Sequence, residues 1–186
     1  MQDLHTSDTL GWRALMTEAQ AATGILLAPE VESYLVRLLR RYVGEGASAD
    51  SVFKGPLGEF LRHPGTAPAE ADLAAIADGC LLLAGLLPDQ AMQRAIPLGY
   101  LVETGRHAYR EQAWRSRETL FDRLETDFID IIDLLQTLRS TEFPEAELDR
   151  LTAYQLWADT GSRYAFVVLV GPGAALPALE TSVMLH

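Results

Sequence analysis

The stretch ADGCLLLAGLLP, residues 77–88, constrains the fold of this 186-residue chain more than any other part of the sequence. Its apolar side chains would lie on every side of a helix, so such a helix needs neighbours all round it. The run is too short to span a bilayer, which requires about 20 consecutive apolar residues, and it carries the acidic Asp78. We therefore predict that it forms the central helix of a bundle.

Helical periodicity dominates the rest of residues 1–160. Between Pro29, which suits the first position of a helix, and Gly44, which suits its end, apolar side chains recur at intervals of three and four residues. A similar pattern predicts one long helix near residues 117–140. We predict an all-α fold in which residues 1–160 form a single compact bundle of six to seven helices with short connections.

Residues 161–186 have a different character. The segment FVVLV has the composition of a strand, and the GPG and LP sequences that follow it exclude a long helix. We expect an apolar, non-helical tail that packs either on the core of the bundle or on a partner subunit. Phe166 and Val168 are the candidate interface residues of this tail.

The net charge limits the partners of the protein. A formal charge of −11 argues against binding of DNA or RNA, because such binding needs a basic surface, and it also disfavours acidic membranes. Arg37, Arg40 and Arg41 form a local basic cluster that we interpret as a solvated rim. The single Cys80 allows no intramolecular disulfide and suits an inert core position. The first residues lack the features of a secretory signal, so we expect a cytoplasmic protein.

Patterns that would indicate a metal ion, a cofactor or catalysis are weak. The sequence contains no zinc pattern, phosphate-binding loop, dinucleotide fingerprint or nucleophile elbow, so we expect no metal and no cofactor. Glu103 and His107 lie four residues apart and fit a solvated pair better than a metal site. Asp127, Asp130 and Asp133 recur every three residues, and a helical wheel places them on an exposed acidic face.

Three aromatic side chains form a second stripe on the helix predicted over residues 97–115. Tyr100, His107 and Trp114 are spaced by seven residues and lie opposite the apolar stripe of the same helix. A helix with two such faces is either central in its bundle or covered by a partner. We favour central packing, with a homo-oligomeric contact as the alternative.

Three stretches together resemble a family of uncharacterised bacterial helical proteins. They are ESYLVRLL, ADGCLLLAGLLP and GYLVETGRHAY, at residues 32–39, 77–88 and 99–109. The family pattern is Y-L-V-x-L-L, then G-D-x-x-L-x-x-x-G-[LF]-[LF], then Y-x-x-x-x-G-x-x-A-Y, and Ala77 stands where the pattern has glycine. The resemblance covers about residues 30–110. It implies an all-helical fold with no established activity.

Asp78 is the main candidate site residue. Small residues on its helix face, among them Gly85, would let another helix approach closely, and Gly105 suits such a crossing. Asp78 would then be buried, where a carboxylate needs hydrogen bonds or a proton. Tyr34 and Tyr109 are the natural hydroxyl partners. We favour a structural role, and the alternative is a small pocket in which Asp78 binds a ligand or acts as a general base.

Three functional hypotheses follow. The first is a non-catalytic cytoplasmic helical protein, an adaptor or regulator, that acts through protein–protein contacts as a homo-oligomer. The second is a small-molecule or lipid-binding helical module with a pocket near Asp78 that takes a small apolar ligand. The third is an enzyme that uses Asp78 with the tyrosines, or an acidic metal site at Asp127 and Asp130.

Overall fold

The structure, a computed structural model, describes residues 3–44, 46, 48–63, 72–142 and 147–171, and only the backbone of residues 3–10. The regular elements of this part of the chain are all helices, which confirms the predicted fold class. They are α1 (Asp3–Thr23), α2 (Pro29–Gly44), α3 (Ala49–Lys54), α4 (Pro56–Arg62), α5 (Leu73–Gly85), α6 (Pro88–Gln93), α7 (Leu98–Ser116), α8 (Thr119–Thr126), α9 (Phe128–Glu142), α10 (Arg150–Thr160) and α11 (Arg163–Val170).

Helix α5 lies at the centre of the bundle. It packs most extensively against α7 and α9, and it also contacts α3, α4 and α6. Every side chain from position 76 to position 85 is buried, because the helix has neighbours on all sides. This burial confirms the prediction of a central helix over the ADGCLLLAGLLP stretch.

The ends of α5, α2 and α1 follow from individual residues. Pro88 has no N–H to donate to the carbonyl oxygen of Ala84, so the helical hydrogen-bond pattern stops at that point. Gln136 of α9 supplies the missing donor, with its Nε2 atom 2.8 Å from the Ala84 oxygen. Pro29 begins α2 as predicted, and Gly24, with φ of +71°, follows the end of α1.

The helix count of the sequence prediction is wrong, since the described residues form eleven helices. The helix predicted near residues 117–140 is divided into α8 and α9, which meet at Asp127 with φ of −85° and ψ of 6°. No glycine or proline marks this break in the sequence. The bend lets α8 pack against α2 and α7 while α9 packs against α1 and α5, so each half buries its own apolar face.

The prediction of a non-helical tail is wrong for residues 163–170, which form α11. The Ser162 side chain accepts a hydrogen bond from the backbone N–H of Ala165 and caps the helix. Phe166 is buried within the chain, with its ring centroid 5.7 Å from that of Trp157, and the partly buried Val168 packs on the same core. Phe166 is therefore part of the core of the described chain. Residues 172–186 of the predicted tail lie outside the described residues.

Within the described part of the chain, no helix is both long enough and apolar enough to cross a membrane.

Candidate functional site

Asp78 accepts hydrogen bonds from three side chains on two neighbouring helices. The hydroxyl groups of Tyr34 in α2 and Tyr109 in α7 lie 2.7 Å and 2.6 Å from its Oδ1 atom. The Nη2 atom of Arg41 in α2 lies 2.7 Å from its Oδ2 atom. The structure thus brings Asp78 together with both tyrosines that the sequence analysis selected, at the junction of α2, α5 and α7.

Arg41 is the member of this network that the sequence analysis missed. Its side chain is 57% exposed, in keeping with the solvated rim to which we assigned it, yet its guanidinium reaches the buried carboxylate of Asp78. The spacing between Arg41 and Tyr34 could have identified Arg41 as a member of the network. Tyr34 and Arg41 lie seven residues apart on α2, about two helical turns, so both project from the same face.

Close packing of aromatic rings and glycines holds the network in place. The Tyr109 ring contacts the rings of Phe121 and Phe128, at centroid distances of 6.0 Å and 5.9 Å. A Cβ atom at Gly105 would lie 2.3 Å from Cζ of Phe128 in α9 and 2.9 Å from Cβ of Cys80 in α5, so only glycine permits this approach of α7 to both helices.

Gly85 has a different neighbour from the one that the sequence suggested. A Cβ atom there would lie 2.7 Å from Cβ of Leu135, a residue of α9. The two glycines therefore permit different contacts. Gly105 permits the approach of α7 to α5 and to α9, and Gly85 permits the contact between α5 and α9.

Burial governs the protonation of the network. It raises the pKa of Asp78, whereas the hydroxyls of Tyr109 and Tyr34 and the guanidinium of Arg41 act in the opposite direction. Burial, followed by the nearby carboxylate, also raises the pKa of Tyr109 and of Tyr34. Both tyrosines therefore keep their hydroxyl hydrogens and act as donors. Since both oxygens of Asp78 accept hydrogen bonds, one carboxylate joins three helices through three hydrogen bonds.

An open groove of about 1200 Å³ runs along α7, away from this network. Tyr100, Glu103 and His107 of α7 lie along it, and side chains of neighbouring helices such as Phe60 and Ile129 complete its lining. Its lining includes neither Asp78 nor the two tyrosines that bind it. The groove is therefore a surface feature of α7, separate from the buried carboxylate.

The aromatic stripe of α7 lies on the surface, so the favoured interpretation of central packing is wrong. Trp114 is 77% exposed, Tyr100 is 40% exposed, and His107 is exposed between them. Glu103 and Arg110, also exposed, complete a row with alternating spacings of three and four residues. We call these five residues the α7 seam.

The acidic repeat of the sequence does not form one exposed face. Asp130 is exposed, but Asp133 is buried and accepts hydrogen bonds from the Ser162 hydroxyl at 2.6 Å and from the backbone N–H of Arg163 at 2.8 Å. These contacts join α9 to the first turn of α11. Burial raises the pKa of Asp133 to about 6, although the hydrogen bonds act in the opposite direction. The prediction of an exposed acidic face is wrong for Asp133, because α11 covers it.

No group of three or more His, Cys, Asp or Glu side chains in the described residues is placed to hold a metal ion. Cys80 is fully buried beside Gly105, and burial raises the pKa of its thiol, which favours the unreactive protonated form. No protein-family model, curated protein or solved structure matches the chain.

Proposed function

We propose that this protein acts without catalysis, through protein–protein contacts, and that the α7 seam is its contact surface in a homo-oligomer. The observation that carries the proposal is the exposure of Trp114 on a helix that also packs along the core. Exposed indole rings are uncommon on monomer surfaces, and aromatic side chains are enriched in interfaces. A partner that covers Trp114 would bury the exposed apolar surface of its indole ring.

The two faces of α7 support this assignment. One face carries Leu101, Gly105, Ala108 and Tyr109, all buried in the bundle, where α7 packs most extensively against α5 and α8. The opposite face carries the seam and forms part of the groove. Because the buried face holds the helix rigidly in the bundle, the exposed face is a preorganised surface, which reduces the entropy lost on association.

The Asp78 network supports a structural role for that carboxylate within this proposal. All its oxygen atoms are engaged by donors from the same chain, and the groove lies elsewhere. A ligand at Asp78 would have to displace hydrogen bonds that are already made. The pocket and enzyme hypotheses therefore have less support than the contact surface.

Sedimentation equilibrium of three full-length proteins tests the proposal. We expect the unaltered protein to form dimers or larger oligomers and Trp114→Ser to dissociate at the same concentrations. The matched control is Tyr154→Ser on α10, since Tyr154 is 54% exposed but is not among the residues that line the groove along α7. It should associate like the unaltered protein. A monomeric unaltered protein, or equal association of all three, would overturn the proposal.

A further inference from the structure

We infer that the α7 helices of two copies lie antiparallel across a two-fold axis near His107, so that Glu103 of each copy faces Arg110 of the partner subunit. The inference rests on the proposed function. It adds the relative orientation of the two α7 helices and the charged contacts between them. The residues that carry it are the five members of the α7 seam.

The seam is symmetric in chemical kind about its middle residue. Tyr100 and Trp114 lie seven residues to either side of His107, about 10 Å along the helix axis. Glu103 and Arg110 lie about 6 Å and 4.5 Å from it, on opposite sides. A half-turn about His107 therefore brings an aromatic side chain opposite an aromatic one, and an acid opposite a base.

Charge selects this direction over the parallel one. In a parallel pair, Glu103 would face the partner's Glu103 and Arg110 would face the partner's Arg110, and both contacts repel. In the antiparallel pair, each of these contacts joins opposite charges. An isologous interface of this kind is closed, since one surface contacts an identical surface through a two-fold axis.

The intramolecular ion pairs leave positive charge on this part of α7. Arg106 and Arg110 both donate to Oε1 of Glu125, at 2.8 Å and 2.6 Å. Two guanidinium groups beside one carboxylate carry a net positive charge. The Arg110 side chain is also 62% exposed, so its charge is accessible to Glu103 of the partner subunit.

Tyr100 gives each copy a surface for the indole ring of the other. Tyr100 lies along the groove, whereas Trp114 projects from the surface near the other end of α7. The antiparallel arrangement brings the partner's Trp114 opposite Tyr100, and the two-fold axis repeats that contact. Aromatic pairs of this kind stabilise an interface beyond the area they bury.

Charge reversal in the full-length protein tests the arrangement. We expect Glu103→Arg and Arg110→Glu each to raise the dimer dissociation constant roughly tenfold, because each creates two like-charge contacts. The double variant restores opposite charges, and its dissociation constant should return to within about threefold of the unaltered value. Arg110→Glu adds a carboxylate beside Glu125, but the double variant carries the same change, so its recovery isolates the contact between copies. Circular dichroism verifies that each variant is folded.

Neutral variants provide a second series should Arg110→Glu fail to fold. Glu103→Gln and Arg110→Gln remove one partner of each pair, and each should weaken association less than the matching reversal. Single reversals without effect, or a double variant weaker than both singles, would overturn the antiparallel arrangement. If Trp114→Ser still dissociates in that case, the proposed function stands and only this inference fails. A monomeric unaltered protein rejects both.

Discussion

The hydroxyl group of Tyr109 donates a hydrogen bond of 2.6 Å to Oδ1 of Asp78, and both residues are buried. The bond joins α7 to α5, the two helices with the most extensive contact in the bundle. Because a buried carboxylate without donors is costly, this bond and its neighbours determine whether the two helices can pack closely.

Tyr109→Phe should lower the free energy of unfolding by about 1–3 kcal/mol, since it removes one donor from a buried carboxylate without changing the ring. Urea denaturation measures the change. Tyr154→Phe is the matched control, because the Tyr154 side chain is 54% exposed on α10 and does not belong to the α7 seam, and its effect should stay within about 0.5 kcal/mol. Equal effects of the two substitutions would contradict the role given to the buried bond.

Asp78→Ala should destabilise the protein much more than Arg41→Ala. Loss of the carboxylate removes the acceptor of three hydrogen bonds and leaves the buried Tyr109 hydroxyl and the half-buried Tyr34 hydroxyl without it, at a cost of about 3–5 kcal/mol. Loss of Arg41 removes a half-exposed, solvent-screened partner and should cost about 1 kcal/mol. Thermal and urea unfolding of both variants checks the order. A larger effect for Arg41→Ala would show that the ion pair outweighs the hydroxyl contacts.

Gly105→Ala should destabilise the protein by about 1–3 kcal/mol, because the added methyl group would overlap the Phe128 ring and the Cys80 side chain. The control is Gly11→Ala on α1, where a Cβ atom would meet nothing within 4 Å. That substitution should stabilise the protein by about 0.5–1 kcal/mol, since alanine favours a helix. Melting temperatures that move in the same direction would contradict the close approach of α7 to α5 and α9 at Gly105.

Because of Asp133, the free energy of unfolding should fall as the pH rises from about 4 to about 6. Its folded-state pKa is about 6, against an ordinary value of 3.8, so the folded protein binds more protons than the unfolded chain in this range. The stabilisation from protonated Asp133 is therefore fully present when the pH is below the ordinary pKa of 3.8. It is lost as the pH rises through about 6, and the loss amounts to up to about 3 kcal/mol. Urea denaturation of the unaltered protein and of Asp133→Asn should show that this part of the slope disappears.

Ser162→Ala gives an independent test of the same site. The Ser162 hydroxyl donates to the Asp133 carboxylate and lowers its pKa, so removal of the hydroxyl should shift the pH range of the effect upwards. NMR titration of the Asp133 carboxyl carbon measures this shift. A downward shift would contradict the direction of the hydrogen bond.

Sequence periodicity predicted the parts of the fold that depend on local pattern. An apolar surface on all sides indicated that α5 is central, and Pro29 indicated the start of α2. The break at Asp127 had no such signal, because neither glycine nor proline occurs there and the contacts of α8 and α9 with different helices set the bend. The sequence did not predict helix α11, because its start depends on Ser162 and on Asp133, a residue of α9 that is 29 positions earlier in the sequence.

The candidate site was likewise predictable in part. Burial of Asp78 required donors, and the two tyrosines were suitable in chemistry and position. Arg41 was missed because a mostly exposed arginine resembles any other surface charge in a sequence, and only the fold shows that its guanidinium reaches inward. Sequence periodicity could not predict the exposure of Trp114, because a second apolar stripe fits a central helix as well as a helix at the surface.

Quenching of tryptophan fluorescence by acrylamide tests the central claim most directly, because it reports whether the α7 seam is covered. The contribution of Trp114 is the difference between the unaltered protein and Trp114→Phe, which keeps an aromatic ring at the contact. We predict that Trp114 is shielded at high protein concentration and becomes fully accessible to acrylamide on dilution. Full accessibility of Trp114 at every concentration would contradict the account.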